Sequence, residues 1–122
     1  MRYSVNNPVV QLCMEGTRAE FERRLDDAQR LYLQAWETRT DDYEACIATH
    51  YVARFQKTPE ETLHWNQVAL EHANTVNDER VKDFYPSLYV NLGQSYEALD
   101  DPVNAQKYYQ LAADLGLTHQ PD

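Results

Sequence analysis

The sequence predicts an all-α fold of three antiparallel helical hairpins in one domain, and three observations carry that expectation. Ala, Leu, Glu and Gln are plentiful and β-branched runs are scarce, which favours helices. Three glycines and five prolines leave little for the many turns of an all-β fold. One pattern of large, small and aromatic residues recurs three times, and each copy is split by a helix-breaking turn.

The first copy predicts helices over 8–21 and 26–39, with Leu12, Gly16 and Ala19 on one face and Ala28, Tyr32 and Ala35 on the other. Glu15 misfits its column. The second copy predicts helices over 42–55 and 59–75, held by Cys46, Ala53 and Ala69. Its break is Thr58-Pro59-Glu60-Glu61, with Thr58 as N-cap, Pro59 opening the helix and Glu61 closing a capping box. The third copy reads Tyr89-x-x-Leu92-Gly93-x-x-Tyr96, then Ala105, Tyr109 and Ala112, over helices 78–99 and 102–115. Asp101 caps its second helix, Pro102 starts it, and Gly116 suits the C′ position. Pro86 is expected to kink or restart the fifth helix.

These columns resemble those of the tetratricopeptide repeat family, whose unit is a pair of antiparallel helices. The first two copies are 34 residues apart, the usual period of that family, and the third follows after 43. The nine extra residues fall around Asn77 to Tyr85, where longer variants extend the leading helix. The resemblance implies a right-handed superhelix with repeats at about 9–42, 43–76 and 86–119 and an extended linker helix at about 77–86. Tyr32, Trp36, Trp65, Tyr96, Tyr108 and Tyr109 are expected as packing residues between neighbouring hairpins.

The chain carries 20 acidic and 11 basic side chains, a formal net charge of -9. Such a surface repels phosphate backbones and anionic leaflets, so neither nucleic acid nor a membrane is expected as partner. No run reaches the ~18 apolar residues that span a bilayer, and Val9 to Met14 is too short for a signal-peptide core. A cytoplasmic location is expected, with Cys13 and Cys46 as thiols.

There is no phosphate-binding glycine loop, nucleophile elbow or paired-carboxylate motif, so neither an enzyme nor a cofactor is expected. The acidic pairs Asp26-Asp27, Asp41-Asp42, Glu60-Glu61 and Asp100-Asp101 all sit where helices begin, complementing the helix dipole. Cys46 and His50, four apart on one helix, are spaced to supply two metal ligands, but nothing completes a zinc pattern and no metal is expected.

The middle copy departs from the family columns at Thr49, His50, Thr62 and Asn66. Two readings stand: a buried hydrogen-bonded network in which these groups answer each other, or a polar pocket. Carried over by column, the resemblance implies a concave groove presenting Cys13, Thr17 and Glu20, then Glu44, Ile47, Tyr51 and Arg54, then Ser87, Val90, Asn91, Gln94 and Glu97. The cations of the family's chaperone-tail clamp are missing from the matching positions. This groove is expected to suit a polar peptide bearing a basic residue, with Tyr51 as anchor.

The expected function is therefore a non-enzymatic protein- or peptide-binding scaffold. The alternative is a bacterial small-ligand or peptide sensor using the polar middle repeat, and a further rival is an accessory subunit holding metal at Cys46 and His50. Leu111, Leu115 and Leu117 are expected to be partly uncovered, which suggests a homodimer through the C-terminal hairpin.

Overall fold

A computed structural model describes residues 6–116, and among these every regular element is helical. The elements are α1 (Pro8–Phe21), α2 (Leu25–Thr38), α3 (Asp42–Val52), a single 3₁₀ turn (Ala53–Phe55), α4 (Pro59–Val76), α5 (Glu79–Lys82), α6 (Tyr85–Ala98) and α7 (Pro102–Asp114). Three hairpins form, α1 with α2, α3 with α4 and α6 with α7. They stack in sequence: α1 and α2 pack on α3, and α4 packs on α6.

Local chemistry sets the helix starts. Asn7 accepts the backbone N–H groups of Val9 and Val10, so Asn-Pro opens α1. Asp41, Thr58 and Asp101 cap α3, α4 and α7 through the N–H groups of Glu44, Glu61 and Asn104. The Thr58 hydroxyl also donates to the Glu61 carboxylate at 3.2 Å, so the box closes on the side chain. Gly116 follows α7 at φ +91°, as a C′ glycine does.

The first and third hairpins are built alike. A Cβ added to Gly16 would lie 2.4 Å from the Tyr32 ring, and one added to Gly93 would lie 2.5 Å from the Tyr109 ring. Glycine is required at both because the ring occupies the space that a side chain would take. Both interhelix turns place one residue in the left-handed region, Arg23 at φ 63° and Asp100 at φ 57°. The N–H groups of Arg24 and Asp101 then reach back to the carbonyls of Ala19 and Tyr96. Buried alanines at Ala19, Ala28, Ala35, Ala69, Ala73, Ala105 and Ala112 let the paired helices approach closely.

Two elements differ from expectation. The helix expected over 42–55 is α-helical only to Val52 and tightens into the 3₁₀ turn, after which Gln56 turns to extended backbone. The residues expected to lengthen the leading helix instead form the separate short α5. Pro86 has no N–H to give the carbonyl of Lys82, so a continuous helix cannot cross that point and α6 restarts with Pro86 in its first turn. The inserted stretch is anchored by Val81 and Phe84, both in the core, with Phe84 stacked on Tyr43 at 6.1 Å. Among the described residues no helix is long and apolar enough to cross a membrane.

Candidate functional site

The second hairpin breaks the rule that shapes the other two. Gly16 and Tyr32, like Gly93 and Tyr109, are 16 residues apart, and the same interval in the middle hairpin joins His50 to Asn66. A large side chain replaces the small one, and a short amide replaces the ring. The consequence is read at the junctions between hairpins. Between the first and second, the Tyr32 ring stacks on Tyr51 at 5.1 Å and lies 5.7 Å from Phe55, and it is 1% exposed. Between the second and third, the matching positions hold Asn66, Gln94 and Ala98, so three aromatic rings are missing.

An open cleft of about 650 Å³ lies there. Its floor is Asn66, Ser95, Asn91 and His50. The Asn66 amide donates to the Ser95 hydroxyl at 2.9 Å, and the Asn91 amide nitrogen lies 3.2 Å from His50 Nδ1. Burial, and secondarily the Arg54 charge, lowers the His50 pKa from 6.5 to about 4, so the ring is neutral at pH 7. With Asn91 donating, Nδ1 accepts and the ring proton sits on Nε2. The walls are Thr62, Ser87 and Gln94, and the rim is Arg54, Gln56, Lys57, Thr58 and Pro59, contributed by the 3₁₀ turn and the start of α4.

The two sets of residues singled out in the sequence thus partly merge. His50, Thr62 and Asn66 from the polar set line the same cleft as Arg54, Ser87, Asn91 and Gln94 from the groove set. The polar residues do not answer one another as a closed network. Thr49 is fully buried and outside the cleft, its hydroxyl donating to the Ala45 carbonyl at 2.7 Å. The Thr62 hydroxyl donates to the Thr58 carbonyl at 3.2 Å. Cys46 is buried beside no third ligand: among the described residues no group of three His, Cys, Asp or Glu side chains is placed to hold a metal. Burial pushes the thiols of Cys13 and Cys46 up to about 12.

Other groove residues are committed to the fold. Glu44 is 8% exposed; it accepts the N–H and hydroxyl of Thr40 and the amide of Asn7, and so locks the turn before α3 against the start of α1. Burial alone would raise its carboxyl, but these bonds hold it below its ordinary value. Glu20 is bonded by Arg54, with Nη2 at 2.8 Å, and by the Tyr32 hydroxyl; these outweigh its burial and lower its pKa. The Thr17 hydroxyl donates to the Cys13 carbonyl and meets that of Tyr32 at 3.3 Å, while Tyr51 is stacked on Tyr32. Burial, and secondarily the nearby Glu97 carboxylate, raises the pKa of the Tyr109 hydroxyl. The acidic groove expected to receive a basic residue is therefore occupied by the protein's own donors, and no carboxylate lines the cleft.

The sequence reading missed Ser95, Gln56 and Lys57. Ser95 lies four residues after Asn91 on α6, a spacing that puts both on one face. Gln56 and Lys57 reach the rim only because the helix tightens at Ala53. At the far end, Leu111 is half-buried, Leu115 is 55% exposed, and Leu117 lies outside the described residues. The chain matches no family model, no curated protein and no solved structure.

Proposed function

We propose that this chain is a three-hairpin repeat of the tetratricopeptide type that acts without catalysis, gripping a short polar peptide segment of a partner protein in the cleft between its second and third hairpins. The observation that carries this reading is the loss of three rings at one junction of an otherwise regular stack: Asn66, Gln94 and Ala98 stand where Tyr32, Tyr51 and Phe55 close the preceding junction. A junction that could have been filled with rings instead presents amide and hydroxyl groups around an open space of about 650 Å³. Asn, Gln, Ser and Thr side chains suit the N–H and C=O groups of an extended peptide. A small polar molecule in the same cleft is the second reading, favoured by its volume.

The test is a selection from a displayed random-peptide library, run on the wild type and on the double variant His50→Gly/Asn66→Tyr. That variant restores the small-and-ring pair of the neighbouring hairpins, so it fills the cleft while respecting the fold. Wild type should enrich a sequence motif that the variant does not. The same motif from both proteins, or none from the wild type, would overturn the peptide reading. A polar metabolite that raises the melting temperature of wild type only would then favour the small-ligand one.

A further inference from the structure

We infer that the floor of this cleft reads a side-chain carboxamide, a glutamine or asparagine of the bound peptide. The inference rests on the proposed function and adds the chemical group that the cleft selects. It follows from which atoms of the floor the fold has already used. Asn66 and Asn91 each spend an amide nitrogen on a neighbour, on the Ser95 hydroxyl at 2.9 Å and on His50 Nδ1 at 3.2 Å. No described residue donates to Oδ1 of either amide, so two carbonyl oxygens remain as acceptors in the lining of the cleft. With Nδ1 of His50 accepting, Nε2 carries the ring proton and has no acceptor among the described residues. The floor therefore offers two acceptors and one donor.

The fold holds these groups in place. His50 and Asn66 stand in the facing columns of α3 and α4 that carry the glycine and the ring in the other hairpins. Asn91 lies one turn before Ser95, so both hydrogen bonds tie one face of α6 to the second hairpin. Asn66 and Ser95 are each only 5% exposed, so packing fixes their positions. A primary carboxamide has two N–H donors and one carbonyl acceptor, the complement of the set on the floor. A carboxylate brings no donor for the two oxygens, an ammonium brings no acceptor for His50, and a thioether is weak in both roles. Charge does not make the choice. Arg54 is already held by Glu20, Glu60 and Glu61 lie in the first turn of α4, and the His50 ring is neutral at pH 7. A ligand that leaves these desolvated groups without partners is penalised for each one, so selection runs on hydrogen-bond pattern.

The test titrates capped octapeptides of Ser and Ala, with one central Gln, Asn, Met, Glu or Lys, into isotope-labelled protein followed by NMR. The better of the Gln and Asn peptides should bind roughly tenfold or more tightly than the Met, Glu and Lys peptides. It should also move the side-chain amide signals of Asn66 and Asn91. Asn66→Leu and Asn91→Leu, each checked by thermal melt, should bring the Gln and Asn peptides down to the level of the Met peptide. The wild-type series decides the matter even where a variant does not fold. Met, Glu or Lys peptides that bind as tightly as Gln and Asn, or a preference that survives both substitutions, would overturn the carboxamide inference and leave the peptide cleft standing. Acetylglutamine methylamide binding as tightly as the Gln octapeptide would overturn the peptide as the source of the group. No signal moved by any of these probes would remove both readings together.

Discussion

Replacing Gly16 by alanine puts one methyl group where the Tyr32 ring now lies. The added carbon would stand 2.4 Å from Cε1, 2.7 Å from Cδ1 and 2.9 Å from Cζ of that ring. Ordinary contact needs about 3.4 Å or more, so the ring must withdraw by about 1 Å. It has nowhere to go: it is 1% exposed, stacked on Tyr51, and tied through its hydroxyl to Glu20 and Thr17. Overpacking of this kind costs about 1–3 kcal/mol, and disturbing the hydroxyl bonds adds about 1 kcal/mol. Against that, alanine is the better helix former by about 1 kcal/mol. The net expectation is a loss of about 2 kcal/mol. Gly93→Ala meets the same clash at 2.5 Å, but Tyr109 is only half-buried where Tyr32 is 1% exposed. Its ring can swing outward, and the net loss should be about 1 kcal/mol or less. Urea titrations followed by circular dichroism measure both, and with a slope of ~1.5 kcal/mol per molar the Gly16→Ala midpoint should fall by roughly 1.3 M. If Gly16→Ala is as stable as wild type, or costs less than Gly93→Ala, the account of ring-against-glycine packing is wrong.

Three further outcomes follow from the structure. His50 has a folded-state pKa of about 4 against 6.5 when free, so the unfolded chain takes up a proton first. Stability should therefore be full above about pH 6.5 and fall towards pH 4, by at most roughly 3 kcal/mol, and urea titrations at pH 7 and 4.5 should show His50→Gln lacking this slope. Glu44→Ala removes the carboxylate that accepts the N–H and hydroxyl of Thr40 and the amide of Asn7, and should cost about 1–3 kcal/mol; hydrogen exchange should quicken first at Thr40 and around Asn7. Since its carboxyl is held below the ordinary value, the Glu44 contribution is present at neutral pH and is lost only at acidic pH, as the carboxylate takes up its proton. Cys13 and Cys46 are buried with thiols at about 12, so a thiol reagent at pH 7.5 should label the native protein far more slowly than the protein in denaturant; rapid native labelling would contradict their burial.

Much of the helical framework was legible in the sequence because it is encoded locally. Apolar periodicity, Asx and Thr caps, proline at first turns and a glycine after α7 act over a few residues, and each acts where the sequence suggested. The departure of the middle hairpin was visible too, in His50, Thr62 and Asn66. What the sequence left open was whether those groups close on themselves. They do not, because their partners Asn91 and Ser95 come from α6, some thirty to forty residues away.

Sequence alone determined the helical framework, its hairpin columns and the polar character of its middle hairpin, because helix periodicity and capping need only neighbours along the chain. The tertiary structure decided which of the singled-out side chains remain available. Glu44 and Thr49 are spent on backbone groups, Glu20 is held by Arg54 and Tyr32, and Lys57 stands at a rim made by a 3₁₀ turn. Those assignments depend on distances between helices, and a cleft exists only where two hairpins meet without the rings that would close it.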